Sequence, residues 1–107
     1  MAKERRSNLR VPVEMWVEES HETARYFQHC SNLSEGGIFL EKTIPHPVGT
    51  RVEIAFALPG EGEKIQVTAE IVSALEGDDR LGMGMKFVDL PPEAARRIRR
   101  FIESRVR

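Results

Sequence analysis

The chain reads as all-β with one C-terminal α-helix: a six-stranded antiparallel β-barrel closed or plugged by that helix. Three observations predict it. Apolar and polar residues alternate in several short runs separated by turn residues, which is the period of half-buried strands. Beyond Pro91 the apolar residues change to helical spacing. No internal repeat or linker interrupts the 107 residues, a length suited to a single core.

Residues 1–10 are polar and without period, and are expected to form an arginine-containing arm ahead of a barrel-plus-helix unit over 11–107. From Val11 the pattern sets Val11, Val13, Met15 and Val17 against Pro12, Glu14, Trp16 and Glu18. That is a strand by its period, and Pro12 suits its beginning or an edge. Glu18 to Glu22 reads as a polar turn, and Ala24 to Ser31 as a second strand with Tyr26 and Phe27 as its bulky members.

Asn32 to Gly37 reads as the next turn, because asparagine and serine bond nearby backbone and glycine allows positive φ or close backbone approach. Ile38 to Leu40 is a short apolar strand, and Thr43 to Thr50, with Pro45, Pro47 and Gly49, is a loop. Val52, Ile54, Phe56 and Leu58 alternate with polar or small residues, and Pro59 to Glu63 connects them to a long return strand from Ile65 to Leu75. Gly77, Asp78 and Asp79 form a turn before the last strand, Leu81 to Val88. Pro91, Pro92 and Glu93 mark a helix start, and Ala94, Ala95, Ile98, Phe101, Ile102 and Val106 make one apolar stripe.

Composition narrows the function classes. The apolar share of 40% beside 31% charged residues argues against disorder. No apolar run nears the roughly 20 residues of a membrane span, and the start of the chain has no apolar leader, so no membrane insertion and a cytoplasmic location are expected. A single cysteine, Cys30, suits a reducing compartment. The net charge of −1 conceals a partition. Residues 1–10 carry four Lys or Arg against one Glu, and residues 91–107 carry six arginines against two glutamates. The stretch between them holds six basic and fourteen acidic residues, a balance of −8. An anionic partner would therefore be drawn to the ends of the chain.

Several familiar chemistries are excluded by spacing. His21, His29 and His46 lack metal-ligand spacing, and Ser34 has neither a base partner nor a nucleophile elbow. Gly60 to Lys64 is not a phosphate loop, and Gly82 to Phe87 lacks the third glycine and following helix of a dinucleotide fingerprint. In a strand those last glycines mark a bend or close packing. No acid–base pair emerges, so the chain is not expected to be an enzyme or to carry a cofactor. The six C-terminal arginines lie mostly off the apolar stripe, as a solvated helix face or a surface for an acidic partner. With few aromatics free to stack, nucleic acid is not the expected partner.

Two stretches remain. Arg6 and Arg10 are separated by three residues in the arm, and an arginine fork matches both phosphate oxygens and the O6/N7 edge of guanine. Asn32, Ser34, Gly36 and Gly37 pack an amide, a hydroxyl and two glycines into six residues. Together with Gly82-Met83-Gly84-Met85-Lys86-Phe87 they carry a family resemblance. Arg6-Ser7-Asn8-Leu9-Arg10 resembles the Arg-xxx-Arg motif of PilZ domains, and Asn32 to Gly37 resembles their (Asp/Asn)-x-Ser-x-x-Gly motif. The last strand is similar to the Gly-x-Gly-x-x-Phe stretch that closes many PilZ barrels, and the resemblance runs from Arg5 to the helix.

The resemblance implies a PilZ-like barrel that binds cyclic di-GMP, a bacterial second messenger with two guanines and two phosphates. It assigns ligand binding to Arg5, Arg6, Arg10, Asn32, Ser34, Gly36 and Gly37, with no metal. Arg5 implies a stacked pair of ligand molecules. The arm would order over the ligand and change the surface offered to a downstream protein, or would act through self-association. A ligand-independent PilZ-type interaction adaptor is the alternative, although such domains typically lack the motifs that are intact here.

Overall fold

The computed structural model describes residues 9–77 and 80–106. Six strands and one helix follow in order: β1 Val11–His21, β2 Ala24–Leu33, β3 Gly37–Glu41, β4 Arg51–Phe56, β5 Ile65–Glu76, β6 Leu81–Val88 and α1 Pro92–Arg105. The strands close into a barrel in the order β1-β2-β3-β6-β5-β4, and every pairing is antiparallel. Closure comes from β4 pairing with the far half of β1, from Val17 opposite Phe56 to Ser20 opposite Glu53. A closed barrel leaves no sheet edge along that seam.

The alternation of apolar residues sets which face points inward. Val11, Val13, Met15 and Val17 of β1, Val52, Ile54 and Phe56 of β4, and Ile65, Val67, Ala69 and Ile71 of β5 share one buried cluster. Burial of such side chains contributes roughly 1.5–3 kcal/mol each before entropy is charged against it. The helix adds Ala94, Ile98, Phe101 and Ile102 to the same cluster. Pro92 at its first position loses no bond, since that N–H would be unpartnered anyway, and Glu93 lies at the positive end. Arg97 then clamps the helix to the β4–β5 connection, with Nε and Nη2 on Glu61 Oε1 at 3.0 and 2.6 Å and Nη2 on the Glu63 carbonyl at 2.7 Å.

Three boundaries differ from the sequence-based expectation. β1 does not stop at the acidic run but continues to His21, because Glu19 keeps the inward phase of Val17 and is fully buried. Its carboxylate accepts from Gln28 Nε2 at 3.0 Å and pairs with His46 Nε2 of the β3–β4 loop. β2 runs through Asn32 to Leu33, so the β2–β3 connection is only residues 34–36. A bulge at Ser31 lets Cys30 and Leu33 both point inward. Val106 lies past the helix and is exposed, leaving the stripe to end at Ile102.

β5 keeps one continuous strand by a second bulge at Val72, since Ile71 faces Met85 while Ser73 faces Gly84. The residue left over, Val72, turns outward. Trp16 and Phe27 are outward as well, and Tyr26 is exposed near the end of the β1–β2 hairpin.

Candidate functional site

The β2–β3 connection is built around Ser34. Its Oγ accepts from the Gly36 and Gly37 amides, both at 3.2 Å, while its own N–H donates to the Gly37 carbonyl at 2.9 Å. The hydroxyl proton has only a long approach of 3.4 Å to that same carbonyl. This is a serine turn of the kind that short polar side chains favour. Ser34 is buried, so it shapes the turn from beneath.

The two glycines differ. Neither belongs to the positive-φ glycines, which among the described residues are Gly49 and Gly60. Gly37 is demanded by close approach: it faces Lys86 across β3 and β6, and a Cβ there would fall inside the contact shell of the Met85 carbonyl oxygen. Gly36 has open space around it, and its carbonyl accepts from the Phe87 amide at 2.8 Å.

The Gly-x-Gly of the last strand serves a neighbour. A Cβ on Gly82 would lie 2.7 Å from the Phe39 ring, and one on Gly84 would lie 2.6 Å from Ser73 Oγ. Gly82 and Gly84 thus leave the space into which Phe39 of β3 lies on the outer wall, while Met83 and Met85 point inward.

Arg10 stands immediately before β1 and donates from Nη1 to Asn32 Oδ1 at 3.1 Å. The pairing of Pro12 with Asn32 brings them together, so residues 22 apart in sequence meet on the outer wall. Arg10, Ser34, Gly36 and Gly37 line one cavity of about 300 Å³. Phe39, Val72 and Gly84 give its apolar wall, and Lys86 brings a second cation. Asn32 holds Arg10 beside this cavity. Arg5 and Arg6 lie outside the described residues, as does most of the expected arm.

Sequence reasoning passed over Phe39, Val72 and Lys86. Phe39 was hidden in an apolar run with no readable phase. Val72 was hidden because it is an apolar residue on the outward phase of β5, next to the inward Ile71. Lys86 had a usable signal, being the one cation in the final strand.

Two further features frame the site. Glu35, between Ser34 and Gly36, accepts from Arg99 Nε of the helix at 3.2 Å. Cys30 lies behind Asn32 and donates from Sγ to the Asn32 carbonyl at 3.2 Å. Burial pushes its thiol up to about 12 from an ordinary 9.0, against the lowering effect of the Asn32 and Phe39 backbone. Among the described residues no three His, Cys, Asp or Glu side chains are grouped to hold a metal ion, and no helix is long and apolar enough to cross a membrane.

A sequence model described as the PilZ domain matches residues 4–104. No curated protein sequence matches. Among solved structures, the inhibitor of motility MotI/DgrA of Bacillus subtilis superposes with a TM-score of 0.80 at 14% identity, over 92% of this chain and 49% of its own. The PilZ domain of YcgR from Escherichia coli, solved with c-di-GMP, gives 0.74 at 17% identity over 92% of this chain and 88% of its own. The PilZ domain of CeSA from a cellulose-synthesizing bacterium gives 0.65 at 20% identity, over 90% and 96%. At these identities the likeness is one of fold, and this chain spans about half the length of MotI/DgrA.

Proposed function

The chain belongs to the PilZ domain family, and on that premise we propose that it is a receptor for cyclic di-GMP. The observation that carries this reading is the bond from Arg10 to Asn32 beside a cavity lined by Ser34, Gly36 and Gly37. Positions expected to bind from two distant motifs are thereby within one ligand's reach. The YcgR PilZ domain, which shares the fold, was solved with c-di-GMP.

The chemistry of the cavity suits such a ligand. Arg10 offers a planar fork to a phosphate or to a guanine edge, and Lys86 offers a point charge to a phosphate. Phe39 and Val72 offer apolar surface to a base. Ser34 keeps a hydroxyl proton that is only weakly used within the turn. Asn32 is held by Arg10 in the free protein and exchanges that partner for ligand polar groups on binding.

Arg5 and Arg6 then join Arg10 from the arm, and the arm closes over a stacked pair of ligand molecules. The surface altered by that closure is what a downstream protein reads. The ligand shifts the population toward the closed arm only by its differential affinity for that state.

Calorimetric titration with cyclic di-GMP, against cyclic di-AMP and GTP, tests the reading. Selective binding of two molecules per chain is expected, with tryptic cleavage after Arg5, Arg6 and Arg10 slowed by the ligand. No heat of binding with Arg10 and Asn32 intact would overturn it and leave the ligand-independent adaptor.

A further inference from the structure

β2 outruns the strand beside it. β3 pairs with β2 only from His29 opposite Glu41 to Leu33 opposite Ile38. Lys42 then takes a left-handed φ of 56°, and its N–H donates to the Leu81 carbonyl at 2.7 Å, so the chain turns off toward β6. Residues 24–28 of β2 are thus paired with β1 on one side. Among the described residues, no strand or loop bonds their backbone on the other. Such an edge leaves the N–H and C=O groups of alternate residues to solvent, a template for another strand.

The edge lacks the devices that usually blunt one. Residues 24–28 read Ala-Arg-Tyr-Phe-Gln, with no lysine, proline or glycine, and no bulge interrupts their pairing with β1. Phe27 is 66% exposed and Tyr26 45%. Phe27 shares the outer wall of the hairpin with Trp16, which is 64% exposed and set edge-on to the His29 ring. The charges around it are already answered, since Arg25 and Lys64 hold Glu18 and His29 holds Glu41. The edge therefore suits a strand with aromatic residues and little net charge, and β2 is itself such a strand. A net charge of −1 sets little repulsion between two copies.

We infer that two copies of this chain pair through this edge, β2 antiparallel to β2 about a two-fold axis at Tyr26. Tyr26 is the centre of the free run. This register sets Arg25 opposite Phe27 of the second copy, a guanidinium beside a ring, as Arg105 lies 4.6 Å over the Phe101 ring within the chain. A register centred on Arg25 would set like charges face to face, and one centred on Phe27 would run into Glu41 beside His29. With the axis at Tyr26, the second copy's strand ends with Ala24 opposite Gln28, in the row where β3 has turned off at Lys42. Its exposed Glu22 then comes to Lys42, and by symmetry this contact forms twice. Neither Glu22 nor Lys42 has an ion-pair partner among the described residues. The edge is separate from the ligand cavity, and the pairing needs no ligand.

Sedimentation equilibrium of the full chain, without cyclic di-GMP, is expected to show monomer and dimer exchanging as concentration rises from micromolar toward millimolar. Phe27→Lys faces Arg25 of the second copy and should weaken the dimer by about tenfold, since the pair occurs twice. Glu22→Lys and Lys42→Glu should each weaken it severalfold, and the doubly reversed chain should regain most of the loss. Under mild oxidation Tyr26→Cys should give a disulfide-linked dimer, because directly opposed residues lie within bridging distance. Glu103→Cys, exposed on the helix, should not, and Cys30 is buried in both. Circular dichroism checks that each variant keeps the barrel. A chain that stays monomeric throughout overturns the proposal and leaves the edge to a strand of another protein. Growth past the dimer overturns it as well, because two-fold pairing uses up both edges. Wild-type dimerisation in Phe27→Lys, or no recovery in the double reversal, does the same.

Discussion

Arg99 Nε donates to Glu35 Oε2 at 3.2 Å, tying the C-terminal helix to the residue between Ser34 and Gly36. The pair is well exposed, with 53% and 28% of the two side chains open, so its worth to stability is under about 1 kcal/mol. Its worth to binding is different, since an unpaired Glu35 would put a free carboxylate next to an anionic ligand. Arg99→Ala should leave the melting temperature nearly unchanged and weaken cyclic di-GMP severalfold. Adding Glu35→Gln should restore the affinity, and calorimetry on the single and double variants checks the pair.

Arg10→Ala removes the fork at the cavity without touching the core. A loss of about 1–3 kcal/mol in ligand binding is expected, the scale of one bidentate guanine contact. Arg6→Ala should cost a similar amount if the arm closes as proposed. The denaturation midpoint of Arg10→Ala should match wild type, since its contact to Asn32 is exposed. Wild-type affinity in both variants would remove the assignment of the arginine pair.

The two turn glycines should separate cleanly. Gly37→Ala forces a methyl group into the Met85 carbonyl and should cost about 3 kcal/mol or more, with loss of the β3–β6 pairing. Gly36→Ala meets open space and should change stability by less than about 1 kcal/mol. Urea denaturation of the two variants makes the comparison. Equal stability would mean that β3 and β6 are not packed as described.

His46→Ala leaves the Glu19 carboxylate buried with only Gln28 as partner. A cost of about 1–3 kcal/mol is expected, the scale for leaving a buried polar group without its hydrogen-bond partner. Glu19→Gln should cost less, because an amide still bonds Gln28 and carries no charge to strand. Thermal melts of both variants at neutral pH test the order.

Cys30 has a consequence at high pH. Its thiol in the folded protein is pushed up to about 12, whereas the unfolded thiol ionises near its ordinary 9.0. The folded state therefore holds the proton longer, and the stability this group confers is complete below about 9. It is lost as pH rises from there toward 12, by about 1.4 kcal/mol per pH unit. Urea midpoints of wild type and Cys30→Ala should diverge over that window and run parallel below it. Parallel curves throughout would show that the site ionises normally.

The fold was legible wherever burial follows period. β4 and the first half of β5 alternate without interruption, and the helix stripe at Ala94, Ile98, Phe101 and Ile102 has helical spacing. Reading failed where a polar residue took an inward position. Glu19 continues the phase of Val17, but its composition says turn, and only Gln28 and His46 make its burial tolerable. These partners are 9 and 27 residues away, beyond any local window. The bulges at Ser31 and Val72 were hidden for a related reason, because a bulge is chosen by the partner strand.

By itself the sequence determined the strand-rich pattern, the closing helix and the residue types of the two motifs, since period, turn chemistry and side-chain donors are local properties. Only the tertiary structure decided what those residues do. Closure of the barrel brought Arg10 onto Asn32 and set Gly37 against Met85, so that the glycine answers to backbone distance and not to backbone angle. It also turned Trp16 and Phe27 outward beside Glu14 and Glu18, and placed Lys86 beside Gly37 in one cavity wall. Such meetings depend on strand register, and register is a property of pairs of segments that no single segment contains.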